Sequence, residues 1–160
     1  MTARSTPQPK PPAPPRSFSL AALLTGAPLL LWQAIFFLGA GVVLVYTFPY
    51  LVSETLLSVP PLGFLNFHFG RLPQYRGADA IFWEIRNREP FGAVTVHKME
   101  TGIDTGPVAF QLPVPIKAAD TYGIHMANLA MAGLQVTVDL LKMLDGGAGA
   151  VPWQPQDESM

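Results

Sequence analysis

The chain has 160 residues, of which 49% are apolar and only 13% charged, with a formal net charge of −1. A globular protein carries about 25% charged residues, and this near-neutral balance leaves no overall electrostatic footprint for nucleic acid. The absence of cysteine excludes disulfides and thiolate metal sites. The three histidines, His68, His97 and His125, lack the H-x-x-x-H spacing of a protein-held metal site.

The first sixteen residues, MTARSTPQPKPPAPPR, hold six prolines and no large apolar side chain. Such a composition cannot build a core and reads as a disordered, extended arm. No charge occurs from Ser17 to Ser53. Within that stretch, residues 28–48 are long and apolar enough for a transmembrane helix, with Lys10 and Arg16 on the N-terminal side as in a signal anchor. A soluble reading divides the run into a buried helix from Leu29 to Leu38, stopped at Gly39, and a strand from Gly41 to Phe48. Strands covered on both faces are continuously apolar in this way, and periodicity alone does not choose between the two.

Farther along, SETLL predicts a short helix with Ser53 as its cap, and LGFLNFH (Leu62 to His68) predicts a strand. ADAIFWEIRNRE (Ala78 to Glu89) predicts an amphipathic helix with Ile81, Phe82 and Ile85 turned inward. FGAVTVHKME alternates, with Val94 and Val96 facing one way and Thr95 and His97 the other. PVAFQLPVPI predicts an edge strand because of its prolines. The longest helix follows, with Asp120 as its cap, an inward stripe of Ile124, Met131, Leu134, Val138 and Leu141, and a stop at DGGAGA. Strands alternating with helices define an α/β class. The chain thus divides into an arm and apolar lead-in (1–27), an α/β domain (28–145) and a tail (146–160).

Asn66 and His68 lie two apart on a strand, so their side chains share a face at its C-terminal end, where open α/β sheets keep their sites. An amide N–H can steady an oxyanion, and an imidazole can hold a proton near neutrality. The pair also fits ordinary strand-exit structure. Asp104 falls between Gly102 and Gly106 in METGIDTGPV, where a carboxylate can orient an imidazole or simply close an Asx-turn.

Taken in order, N-x-H, L-P-x-x-R-G, a helix, T-V-H-x-M and G-x-D-T-G-P resemble the formyltransferase family from about Val42 to Leu144. That family includes methionyl-tRNA, glycinamide ribonucleotide and sugar N-formyltransferases. The resemblance implies a Rossmann-like fold in which Asn66 steadies the oxygen of the tetrahedral intermediate, His68 transfers a proton, and Asp104 orients His68. It implies 10-formyltetrahydrofolate as formyl donor and an amine as acceptor (initiator tRNA, an amino sugar nucleotide or another amine), with no metal. Its folate cradle would fall on Tyr46, Phe48, Pro49, Tyr50, Gly102, Ile103, Thr105 and Gly106.

The family block usually reads N-x-H-x-S-L-L-P, and here Gly70 and Arg71 replace the Ser and first Leu. The first strands of the family core are missing ahead of Gly41, and PQDESM matches a family segment at the chain's end. The sequence therefore reads as a formyltransferase core truncated at both ends, with an incomplete sheet edge open to self-association. A cytoplasmic location follows from this reading. The alternatives are a membrane-anchored α/β binding module held by residues 28–48, and a non-catalytic folate- or partner-binding remnant.

Overall fold

The structure, a computed structural model, describes residues 17–18, 37–39, 41–48, 50–145 and 150–157. The Pro-rich arm, most of the helix expected from Leu29 and the DGGAGA stop from Gly146 to Gly149 lie outside the described residues, as does Pro49.

Five strands form one mixed sheet in the order β2 (Phe37–Gly39), β3 (Val42–Tyr46), β5 (Phe64–Phe69), β6 (Phe91–Lys98) and β7 (Val108–Pro115). β3 runs parallel to β5, and the other neighbours are antiparallel. A separate parallel pair joins β1 (Ser17–Phe18) to β4 (Leu51–Val52). Among the described residues three helices complete the α/β architecture: α1 (Glu54–Leu57), α2 (Ala80–Arg86) and α3 (Tyr122–Asp145).

The apolar run before Ser53 divides near Gly41, but not as expected ahead of it. Phe37 and Leu38, assigned by pattern to a helix, pair with Leu44 and Val43 as a strand. Residues 28–48 therefore do not form one continuous helix, and β2 covers the edge of β3 that the sequence left open. The run of Val42 to Val45 is buried throughout, as a strand covered on both faces requires. β7 is the opposite edge, where Pro113 and Pro115 break no inner ladder.

One sheet face carries the main core. Leu65, Phe67, Phe69, Val94 and Val96 meet Leu129, Val136 and Leu140 of α3. Gly133 faces the rings of Phe69 and Tyr46, which lie an ordinary contact distance of 3.5 Å from where a Cβ would stand. The inward stripe of α3 is His125, Leu129, Gly133, Val136, Leu140 and Leu144. The stripe predicted from sequence is the outer one, and Met131 is 69% exposed. Both faces are apolar at helical spacing, so periodicity had two solutions. The cap also moves by one residue. Thr121 Oγ1 accepts the Ile124 N–H at 3.3 Å, while Asp120 accepts from Lys117 in the preceding turn. Among the described residues α3 is long and apolar enough to cross a membrane, yet its His125-to-Leu144 face packs on the sheet.

In α2, Ile81 is buried as expected, but Phe82 is 45% exposed and the ionisable Glu84 lies inside. Position 82 is a quarter turn from the inward line of Ile81 and Ile85. Ser53 caps α1 as predicted, accepting the Leu56 N–H at 3.4 Å.

Candidate active site

Register builds the site. Asn66 stands opposite His97, and His68 opposite Thr95, across the β5–β6 ladder. Opposed residues share a face, so four buried polar side chains line the side of the sheet away from the main core. The β6–β7 loop then brings Asp104 over them. Gly106 permits this return, since a Cβ there would fall 1.8 Å from the Lys98 carbonyl oxygen. Asp104 itself has φ of 50°, a left-handed conformation that costs a non-glycine residue about 1–2 kcal/mol.

The Asp104 carboxylate is the hub. Oδ2 lies 3.5 Å from His68 Nδ1 and accepts the Gly77 N–H at 2.8 Å. Oδ1 lies 3.2 Å from His97 Nε2 and accepts from Asn66 Nδ2 at 3.3 Å. Burial works to raise the pKa of this group, but the His97 hydrogen bond, the charge of His68 and the Gly77 amide together pull it down to about 2. Asp104 is therefore ionised at any physiological pH.

His68 donates its Nε2–H to the Tyr75 carbonyl at 2.6 Å. That bond fixes the tautomer and leaves Nδ1 as the basic nitrogen toward Asp104. Burial pushes the His68 pKa below its usual 6.5, against the upward pull of Asp104 and Tyr75, with His97 adding to the depression. The ring is thus a neutral base whose protonated form would have a carboxylate beside it. Asn66 Nδ2 also lies 3.2 Å from His97 Nε2, whose ring turns Nδ1 to the Lys98 carbonyl at 3.0 Å. Asn66 Oδ1 is buried with no hydrogen-bond partner among the described residues.

The C-terminal segment adds a clamp. Val108 and Gln154 exchange backbone hydrogen bonds, which carries Gln156 onto the Asp104 loop. Gln156 donates to the carbonyls of Asp104 and Gly106 at 2.7 and 2.8 Å. It accepts from Arg76 Nη2 at 2.6 Å.

A cavity of about 610 Å³ opens above these groups, within the 300–1,000 Å³ range of small-molecule sites. Of the residues expected to cradle a folate, Phe48, Tyr50, Gly102 and Ile103 line it, together with Asn66, His68, His97 and Asp104. Phe48 and Tyr50 meet edge-to-face at 5.7 Å, and Tyr50 and Ile103 are exposed to an incoming ligand. Tyr46, Thr105 and Gly106 do not line the cavity. Tyr46 stacks on Phe67 at 4.3 Å and hydrogen-bonds Thr137 of α3, so it belongs to the main core. The Thr105 side chain packs over Gly102, and Gly106 is held against Lys98.

The structure brings Asn66, His68 and Asp104 together and adds His97 and Gln156, which sequence reasoning missed. The T-V-H alternation did place His97 on one face with Thr95. The missing step was the register that sets it opposite Asn66. Gln156 gave no local signal, because its role depends on a contact with a loop about fifty residues earlier.

The mixed α/β sheet thus brings amide, imidazole and carboxylate together at the end of a strand, beneath an aromatic-edged cavity. The sequence profile of the formyl transferase family matches residues 31–141. The chain belongs to the formyl transferase family. A methionyl-tRNA formyltransferase from Agathobacter rectalis is 31% identical over 121 residues, covering 76% of this chain and 39% of that protein. One from Dictyoglomus turgidum is 38% identical over 111 residues, covering 69% and 34%. The chain thus spans about two fifths of the length of the curated relatives it matches. Among solved structures, the phosphoribosylglycinamide formyltransferase of Streptococcus pneumoniae aligns with a TM-score of 0.56 at 31% identity, over 61% of this chain and 54% of that one. The formyltransferase PseJ of Anoxybacillus kamchatkensis, solved with a formamido sugar nucleotide and tetrahydrofolate, shares the fold at a TM-score of 0.64 and 23% identity. That alignment covers 72% of this chain and 59% of PseJ.

Proposed function

We propose that the chain carries the formyl-transfer centre of an N-formyltransferase that moves a formyl group from 10-formyltetrahydrofolate to an amine. The observation that carries this reading is the shared Asp104 carboxylate, with His68, His97 and Asn66 around it under one cavity. Attack of an amine on a formyl carbon develops negative charge on oxygen and leaves a surplus proton on nitrogen. Asn66 Nδ2, whose two N–H groups face Asp104 and His97 in this structure, turns one of them to the oxygen as its charge develops. His68 Nδ1 takes that proton while Asp104 holds the resulting imidazolium, and the imidazolium returns it to the folate N10 as the bond from the formyl carbon to N10 breaks and tetrahydrofolate leaves. His97 stands as a fourth member that fixes the Asn66 amide and the second carboxylate oxygen. Phe48, Tyr50 and Ile103 give the donor's planar ring an apolar seat. The acceptor is an amine of the kinds the relatives' names indicate, a tRNA-borne, ribonucleotide or sugar amine.

The test is tetrahydrofolate release from the formyl donor with candidate amines, for wild type, His68→Ala and Asp104→Asn. Release by wild type alone supports the proposal. Donor binding without release for any amine class would replace it with a folate-binding role.

A further inference from the structure

Beneath the opposite sheet face, Glu84 of α2 and His125 of α3 are both 0% exposed. Gly92 on β6 makes room for them: a Cβ there would stand 2.4 Å from Glu84 Oε2 and 2.5 Å from His125 Nε2. Glu84 Oε2 and both ring nitrogens of His125 have no hydrogen-bond partner among the described residues. A buried carboxyl with so little compensation is costly, and nothing in the proposed chemistry uses it directly.

The other oxygen of Glu84 has a defined task. Oε1 accepts the Arg71 N–H at 2.9 Å. The Arg71 carbonyl accepts the Tyr75 N–H at 2.8 Å. The Tyr75 carbonyl accepts the His68 Nε2–H at 2.6 Å. A continuous hydrogen-bond chain therefore runs from the core face, round the end of β5, to the basic imidazole of the site. Glu89 fastens the outside of the same turn, pairing with Arg71 Nη2 at 3.0 Å and accepting from the Tyr75 hydroxyl at 2.6 Å.

We propose that Glu84 is a positioning residue: seated against His125 over Gly92, it holds the Arg71–Tyr75 turn so that the Tyr75 carbonyl fixes the tautomer and orientation of His68. The proposal rests on the formyl-transfer reading of His68 for its meaning, but its geometry does not depend on the donor. Burial raises the Glu84 pKa to about 7 against the lowering effects of the Arg71 amide and guanidinium, with Glu89 adding to the rise. Burial lowers that of His125, against a small upward pull from Asp120. Below about pH 7 the Glu84 carboxyl is therefore held neutral. The protonated carboxyl then keeps one oxygen for Arg71.

The test uses the full chain with ring-15N histidine, the His68 signals being assigned by their loss in His68→Gln. Glu84→Met fills the same space without an acceptor for Arg71, and Glu84→Gln keeps the acceptor without the charge. The expected result is an Nε2–H tautomer for His68 in wild type and Glu84→Gln. In Glu84→Met that tautomer is lost and the His68 midpoint is lower, because the Tyr75 carbonyl no longer favours the protonated ring beside Asp104 and His97. Gly92→Ala, which displaces the same carboxyl by contact, reproduces the loss and answers the question if Glu84→Met does not fold. An unchanged His68 tautomer and midpoint in either folded variant overturns the proposal. Tetrahydrofolate release, measured in parallel, is a separate readout. Its absence in wild type, with the His68 shifts as described, would refute the formyl-transfer reading and leave the positioning chain standing.

Discussion

Asp104 and Glu84 are both buried carboxylates lying beside histidine, one on each face of the same sheet. Asp104 accepts from a backbone amide and a side-chain amide and lies beside two imidazoles, and its pKa falls to about 2. Glu84 receives one backbone amide, and its pKa rises to about 7. Burial acts in the same direction on both, so the hydrogen bonds and charges around each carboxyl decide the sign. A carboxylate built to stay charged beside a reacting centre needs that saturation. A carboxyl that only pins a turn does not.

The largest expected effect breaks the saturated cluster. Asp104→Asn removes the partner that stabilises protonated His68 and lowers turnover by about 10²- to 10⁴-fold, the usual worth of a general acid–base pair. Steady-state release of tetrahydrofolate measures it, with circular dichroism to show that the fold persists. Gln156→Ala follows, since it frees the carbonyls of Asp104 and Gly106 without touching the reacting groups. A misplaced catalytic group of this kind loses about 10- to 100-fold, and release of tetrahydrofolate reads the loss with the cavity lining unchanged.

The two carboxyls also separate in stability against pH. The pKa of Asp104 is lower in the folded chain than its ordinary 3.8, so its contribution is full above about pH 4 and is lost as pH falls toward 2. The pKa of Glu84 is raised from 4.5, so the folded state holds a proton that the unfolded chain has released. Stability therefore falls as pH rises from 4.5 to about 7, by on the order of 2–3 kcal/mol, and levels off above. Urea melts across pH 2–8 would show both slopes, and Glu84→Gln should flatten only the upper one. The smallest effect lies far from either cluster. Ser53→Ala removes the α1 cap and costs about 0.5–1 kcal/mol, measured by thermal melt, with no change in turnover.

The pH dependence of turnover follows from His68. Its basic form is required, and burial holds its pKa below 6.5. The acid limb should therefore fall with a midpoint below that value, read from initial rates across pH 4–8.

Much of this was legible in the residues. The β-branched alternation from Val94 to His97, the prolines of β7 and the Ser53 cap each carry a local cause, and the structure follows them. Asn66, His68 and Asp104 emerged because two motif blocks are specific in combination. What could not be read depends on pairing across the chain. The strand Phe37–Gly39 is strand only because β3 offers it an edge. The outer stripe of α3 looked as apolar as the inner, and only the packing of Leu129, Val136 and Leu140 on the sheet marks the inward side. Tyr46 seemed part of a ligand wall with Phe48 and Tyr50, but alternation along β3 turns it to the core. Glu84 contradicted its helix's apolar face because its partner is a backbone amide thirteen residues earlier.

The most direct test of the formyl-transfer centre is a single-turnover experiment with formyl-labelled 10-formyltetrahydrofolate and excess amine acceptor, comparing wild type with Asp104→Asn. The label should pass to the amine in wild type and remain on the folate in the variant. Equal transfer by both proteins would contradict the role assigned to Asp104 and, with it, the centre built around that carboxylate.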